Sequence, residues 1–438
     1  MLQQMIREIK RMPRVRAEGK VVGLEGLRIE ASGPPSALRI GAIARIGSPT
    51  GPRAEIVGFK GELAIMLACE TGSEVYPGIP VYFEHGANLI YPSETWLGRI
   101  VDAFGEPMDG KEPLVKGAYA KSVHAPPPPA HDRSRVNERL HLGVRVMDLF
   151  TPCGRGQRLG LFAGSGVGKS TLMGMLAQGA DADVIVIGLI GERGREVREF
   201  VEDALGPSGL ARSVVVTATS DAPAPARRRA AYAALTVAEY FRDRGKQVLC
   251  LLDTVTRFAM AQREIGLAAG EPPTTRGYTP SVFAELPKLL ERAGPGANGD
   301  GDITGLFTVL VDGDDHNEPV ADAVRGILDG HIVMSRHIAE RGRYPAVDLL
   351  KSLSRLNNVL QDAEESALIR EVRRLVSTYA DMEELIRIGA YAPGADPDVD
   401  RAIRLIDGLN AFLTQSEGDP TPLESVVDGL RAVYEGSA

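Results

Sequence analysis

Ala163-Gly164-Ser165-Gly166-Val167-Gly168-Lys169-Ser170-Thr171 decides how this chain of 438 residues is read. The apolar run 159–162 precedes it and the helix-forming stretch 172–176 follows. That is the strand, glycine loop and helix order of a phosphate-binding loop. Glycines let the backbone curl so that N–H groups and the positive end of the next helix converge on phosphates. In such a loop Lys169 reaches the β- and γ-phosphates, and the Ser170 hydroxyl takes a place on Mg²⁺. Glycine usually opens the pattern; here the small residue Ala163 does. Gly164, Ser165, Gly166, Val167, Gly168, Lys169, Ser170 and Thr171 are the expected cradle for a nucleoside triphosphate.

Outward from the loop, apolar strand candidates at 158–162, 184–189, 213–218, 248–252 and 307–311 alternate with helical stretches such as 226–244. This alternation predicts a parallel sheet covered on both faces. Upstream, the β-rich runs 21–24, 38–40, 54–57 and 63–66 are punctuated by Gly and Pro, as in a small barrel or sandwich. Pro126 to Pro129 form a stiff connector at or within the entry to the next domain. Downstream, 357–434 holds no convincing strand and reads as helical. The expected organisation is multidomain: a tail over 1–18, a small N-terminal β-barrel domain over 19–92, a central α/β phosphate-loop ATPase domain over 93–362 and a C-terminal helical domain over 363–438. In the tail, Leu2, Ile6 and Ile9 have the spacing of a short amphipathic helix, which suits a docking segment and a frayed end alike.

Composition narrows the function. With 44% hydrophobic and 25% charged residues the chain is ordinary for a soluble globular protein. A net charge of −8 argues against broad electrostatic binding of nucleic acid. Cys69, Cys153 and Cys250 are far apart and in apolar settings, so they read as reduced core residues of a cytosolic protein. No apolar run approaches the ~18 residues of a membrane span, and the basic opening stretch lacks the apolar core of a secretory signal. The 7 histidines show no metal-ligand spacing. Arg227-Arg228-Arg229, at the start of a helical stretch, reads as a solvated face rather than a nucleic-acid patch.

Two carboxylates follow apolar strands. In an open parallel sheet ligands bind at the carboxyl ends of the strands, so Asp253, after 248–252, is expected to face Mg²⁺. Glu192, after 184–190, has two readings from spacing alone. It either polarises the water that attacks the γ-phosphate, with Arg193 countering developing charge, or sits on the surface at a helix start, where acidic residues favour the dipole.

From about Gly19 onward the chain resembles the catalytic ATPases of rotary-type hexamers, the family of the ATP synthase catalytic subunit. Tyr344-Pro345-Ala346-Val347-Asp348-Leu349-Leu350-Lys351-Ser352-Leu353-Ser354-Arg355 matches that family's signature. A closer likeness, to flagellar protein-export ATPases and their type III secretion relatives, is carried by residues 191–200, by Asp253-Thr254-Val255-Thr256-Arg257-Phe258-Ala259, by 270–278 and by 312–319.

The resemblance implies ATP and Mg²⁺ as cofactors and ATP hydrolysis that energises export of flagellar proteins. It makes Lys169 and Ser170 the phosphate and metal residues and Glu192 the water-polarising carboxylate. Arg193 and Arg257 sit near the γ-phosphate, Asp253 on the magnesium side, and Tyr344 on the adenine. Arg355 becomes an arginine finger that completes a neighbour's site in a homohexamer. The loop 270–278 lines a central channel, and Asp381-Met382-Glu383-Glu384-Leu385 touches a central stalk protein. A regulator at the N-terminal tail, the export gate, and export substrates or their chaperones are the further implied partners. The implied location is cytoplasmic, peripheral at the inner-membrane base of the secretion apparatus. A virulence-type secretion ATPase, an ATP synthase catalytic subunit, an RNA-tracking hexameric helicase and a catalytically silent regulatory subunit are the competing readings.

Overall fold

The computed structural model describes residues 17–436 except 73, 85, 87, 298–299, 312–317 and 420. Tail residues Leu2, Ile6 and Ile9, and most of the 312–319 segment, lie outside the described residues.

Six antiparallel strands open the chain: β1 (Ala17–Glu25), β2 (Arg28–Ser32), β3 (Ile43–Ile46), β4 (Arg53–Lys60), β5 (Leu63–Ala68) and β6 (Pro80–Phe83). They close into a barrel in the order β1-β2-β5-β4-β3-β6, with β1 pairing to both β2 and β6, which leaves no free edge. Alternate side chains such as Val21, Ile29, Ile56, Met66 and Val81 fill its interior. The expected strand at 38–40 is not one. Hydrogen bonds from Ala37 and Leu38 back to Pro34 and Pro35 make a turn there, Ile40 faces solvent, and pairing starts at Ile43.

The central sheet is built from β7 (Arg99–Val101), β8 (Arg158–Ala163), β9 (Val184–Ile190), β10 (Ser213–Ala218), β11 (Val248–Asp253), β12 (Asp302–Leu310), β13 (Gly330–Met334) and β14 (Val347–Ser354). Their order is β14-β13-β8-β12-β11-β9-β10-β7. All are parallel except β14, which runs antiparallel along the edge, and the short Gly294–Pro295 strand beside β12. The five inner strands expected from sequence are present. β7, β13 and β14 were not foreseen, and β7 places a sheet strand upstream of the 126–129 prolines. The inner strands are buried on both sides: Val186, Val214, Cys250 and Phe307 pack on one face, Leu161, Ile187 and Leu249 on the other.

Helix α1 (Lys169–Gly179) follows the glycine loop, α2 (Ala224–Arg242) covers one face of the sheet, and α3 (Val255–Ala269) follows β11. The C-terminal region is helical as expected, with α4 (Ala363–Arg387), α5 (Pro397–Leu413) and α6 (Leu423–Glu435). Arg373 of α4 ties it to the sheet by donating to the carbonyls of Leu349 (2.6 Å) and Phe150 (2.7 Å). No helix among the described residues is long and apolar enough to cross a membrane. All three cysteines are buried and unpaired.

Arg227, Arg228 and Arg229 are neither a solvated face nor a nucleic-acid patch. Arg227 pairs with Glu264 at 2.7 Å, and Arg228 pairs with Glu55 of barrel strand β4. Arg229, 3% exposed, donates to the Ala103 carbonyl (3.1 Å) and to Asn88 (3.0 Å). Three consecutive helical residues point in three directions, and here each direction meets protein. The triplet fastens the barrel and the segment after it to α2.

Candidate active site

The loop between β8 and α1 is shaped by two left-handed glycines, Gly166 (φ 77°) and Gly168 (φ 87°). Val167 between them is buried and anchors the loop, while Ser165 and Ser170 face solvent. A Cβ on Gly168 would lie 3.4 Å from ring carbons of Tyr344, so the tyrosine ring stands directly over the loop. Tyr344 is 42% exposed, so it is not a core tyrosine. Arg336 also reaches the loop, donating to the Ser165 carbonyl at 3.3 Å. The Gly164 backbone and Thr171 fall within the same loop-to-helix turn.

β11 ends at the buried Asp253, and Thr254 caps α3 by accepting from the Arg257 N–H at 3.1 Å. Oδ1 of Asp253 accepts from Lys169 Nζ and, at 2.6 Å, from the Thr308 hydroxyl. Oδ2 has no hydrogen-bond partner among the described residues. β9 ends at Ile190, and the chain turns at Gly191 (φ 72°), where a Cβ would sit only 3.0 Å from Cβ of Arg257. That turn delivers Glu192, with Oε1 lying 3.7 Å from Lys169 Nζ. This oxygen is buried and makes no hydrogen bond among the described residues. Burial, helped by Asp253 and Glu196, raises the Glu192 carboxyl to about 7 against the pull of Lys169. An acid poised there suits general-base work near neutral pH, so the geometry departs from a plain surface glutamate.

The sheet therefore brings the adjacent pair Lys169 and Ser170 together with Glu192, Asp253 and Tyr344, which are far from it in sequence. Arg193 does not join them: its side chain is 80% exposed and faces Glu196 at 3.6 Å. Arg257 is half-buried behind Gly191, with its Nε buried and unbonded. Arg355 lies at the other end of the sheet. Its backbone N–H donates to Asp329 at 3.0 Å, and Asp329 is level with Arg158, the first residue of β8. Six residues of strand separate that level from the phosphate loop, roughly 20 Å. The exposed Arg355 guanidinium contacts the Arg325 carbonyl at 3.5 Å and pairs with no carboxylate among the described residues.

Sequence reasoning missed Thr308, Arg336 and Gln415. Gln415 is buried at the junction with the C-terminal helices. Its N–H donates to the Tyr344 carbonyl (2.9 Å), and its side chain bridges the Arg145 N–H (2.9 Å) and the Gly143 carbonyl (2.8 Å). None of the three stands in a motif, and only the folded contacts reveal them. The loop 270–278 is largely exposed, although Tyr278 is buried. In the acidic stretch 381–385, Glu383 is held by Arg341, while Leu385 faces solvent.

Residues 143–354 match the model of the ATP synthase alpha/beta family, nucleotide-binding domain, and residues 361–432 match that of the T3SS EscN ATPase C-terminal domain. The chain is 56% identical to the flagellum-specific ATP synthase of Caulobacter vibrioides, over 97% of each chain. It is 44% identical to the type 3 secretion system ATPase of Xanthomonas euvesicatoria, over 98% of this chain and 97% of that one. The assembled ATPase EscN in complex with its central stalk EscO, from the enteropathogenic E. coli type III secretion system, superposes with a TM-score of 0.87. That protein is 42% identical, and the match covers 95% of this chain and 100% of EscN. With its nucleotide cradle, its barrel and its helical C-terminal region, the chain belongs to the ATP synthase alpha/beta family, in the branch of the flagellum-specific and type III secretion ATPases.

Proposed function

We propose that this chain hydrolyses ATP to drive export of flagellar proteins through a type III secretion apparatus. The cluster of Lys169, Glu192 and Asp253 at the carboxyl end of a parallel sheet carries the enzymatic half of this reading. The 56% identity to the Caulobacter vibrioides flagellum-specific ATP synthase, against 44% to the Xanthomonas euvesicatoria type 3 secretion system ATPase, supports the flagellar half.

Each residue has a task. The N–H groups of 164–171 and the start of α1 bind the phosphates, and Lys169 leaves Asp253 to meet their negative charge. Ser170 and Asp253 fit a magnesium ion, since both offer hard oxygen atoms beside the phosphate cradle. No cluster of three or more His, Cys, Asp or Glu is placed to hold a metal among the described residues, which suits an ion held largely by phosphate and water. When bound, magnesium neutralises charge that develops on the phosphoryl group. Glu192 accepts a proton from, or orients, the attacking water. Arg257 and, after a side-chain swing, Arg193 serve the γ-phosphate side, and Tyr344 stacks on the adenine.

The chain carries Lys169 and Arg355 too far apart to serve one site. Identical subunits in a closed head-to-tail ring, most simply a hexamer, would bring one subunit's Arg355 to the next subunit's nucleotide. The assembled, stalk-bound state of EscN supports this reading. In such a ring the 270–278 loop would line the channel and 381–385 would lie beside a stalk. Domain bounds of 1–18, 19–92, 93–362 and 363–438, a regulator at the tail, contact with the export gate and with substrates or chaperones, and a cytoplasmic site at the membrane base complete the proposal.

The test is genetic and biochemical together. Deleting the gene should abolish flagellar filaments, and wild type but not Lys169→Ala should restore them. Intact filaments in the deletion strain, with loss of virulence-type secretion instead, would overturn the flagellar assignment.

A further inference from the structure

Register along the sheet places Leu252 of β11 opposite Phe307 of β12, so Thr308 stands level with Asp253. Thr308 is 1% exposed, in the middle of the sheet, and has a single proton to donate. Its oxygen lies 2.6 Å from Oδ1 of Asp253 and 3.3 Å from the Leu252 carbonyl. The shorter contact, to a charged acceptor, is the stronger bond. Lys169 approaches the same Oδ1. One carboxylate oxygen is thus held from two sides, while Oδ2 has no hydrogen-bond partner among the described residues.

We infer that Thr308 is a positioning residue for the magnesium-nucleotide site: its hydroxyl fixes the Asp253 carboxylate so that Oδ2 faces the metal. The inference rests on the reading of Asp253 as the magnesium-side carboxylate. Lysine alone does not fix the group, because Lys169 is drawn to the phosphates when nucleotide binds. Thr308 donates from a buried position on a strand paired on both sides within the sheet. Groups that orient a metal's carboxylate in this way change metal affinity by about 10- to 100-fold when lost.

The test measures binding rather than turnover. Full-length protein is titrated with Mg²⁺ in the presence of a fluorescent ATP analogue, and the same analogue is titrated in EDTA. Thr308→Val, which keeps the shape and removes the donor, should need about tenfold more Mg²⁺ for half-maximal effect. Its binding in EDTA should be unchanged, and Thr308→Ser should behave as wild type. Asp253→Asn should also raise the Mg²⁺ requirement, and adding Thr308→Val to it should change nothing more. Should Thr308→Val fail to fold, Thr308→Cys, a poor donor of similar size, takes its place.

A wild-type Mg²⁺ titration in Thr308→Val, beside a shifted one in Asp253→Asn, overturns the inference and leaves the site intact. Equal weakening with and without Mg²⁺ also overturns it, because that is the mark of lost packing. No shift in Asp253→Asn overturns the underlying reading of Asp253 itself.

Discussion

At the carboxyl end of the parallel strands, Lys169, Glu192 and Asp253 crowd together around a glycine loop, with Glu192 3.7 Å from the lysine. At the amino end, Arg355 stands exposed at the tip of the antiparallel edge strand β14, next to Asp329. At the first end the Lys169, Glu192 and Asp253 side chains are largely buried, and their charges answer one another within the subunit. The second offers a cation that, among the described residues, meets the Arg325 carbonyl and no carboxylate. Yet both lie in stretches that carry the family likeness. The direction of β14 explains the contrast. Its first residues, next to Tyr344 and Pro345, lie at the nucleotide end, and its run away from them carries Arg355 to the far edge. One segment thus contributes Tyr344 to its own site and presents Arg355 outward.

The largest expected effect comes from removing the outward cation. Arg355→Ala should lower turnover by about 10³-fold while leaving nucleotide binding and assembly intact, as checked by phosphate release and sedimentation. Loss of nucleotide binding in this variant would erase the distinction between the two ends. Glu192→Gln comes next: hydrolysis should fall by about 10²-fold with nucleotide and Mg²⁺ binding retained. Near-normal turnover would remove Glu192 from the chemistry.

A smaller effect sharpens the picture of the enclosed end. A base must be ionised to act, and kcat/KM reports groups of the free enzyme. With the Glu192 carboxyl raised to about 7, kcat/KM should climb with pH through neutrality and lie about tenfold below its plateau at pH 6. The residual rate of Glu192→Gln should lack this limb. A flat profile in wild type would mean that Glu192 is not the titrating base.

The smallest effect is on stability and belongs to neither end. His141 sits 2.9 Å from Asp148, a buried carboxylate that also accepts from the Leu142 and Val144 N–H groups. The Asp148 carboxylate beside it raises the imidazole above its ordinary value near 6.5, so folding favours the protonated ring. Its stabilisation is complete below about 6.5 and is lost as pH rises through the higher folded value. Wild type should therefore lose a little melting temperature across that window relative to His141→Gln. Parallel melting curves for the two proteins would contradict the assignment.

Legibility in the sequence followed how local each signal is. The phosphate loop needs only neighbours in the chain, so 164–171 was readable outright. The inner strands β9 and β11 are unbroken apolar runs and were equally plain. β14 was read as a family signature but not as a strand, because its polarity does not follow its burial: Ser352 and Ser354 are buried while Leu350 and Leu353 face solvent. Without β14, the amino-end position of Arg355 could not be derived. Arg227 to Arg229 misled for a related reason: composition suggests solvent, and only the packing of the barrel and the segment after it against α2 supplies Glu55, Asn88 and the Ala103 carbonyl as partners. Thr308 was invisible because a threonine within an apolar strand carries no spacing signal, and its partner lies 55 residues away.

The central claim is that each active site is shared, with Lys169 from one subunit and Arg355 from the next. Mixing Lys169→Ala with Arg355→Ala protein, each inactive alone, tests it directly. At some interfaces an intact Lys169 will face an intact Arg355, and these should release phosphate, at least as a single burst where dead neighbours stall further turnover. The burst amplitude should peak at intermediate mixing ratios. Co-assembled mixtures that release no phosphate at any ratio would contradict the claim.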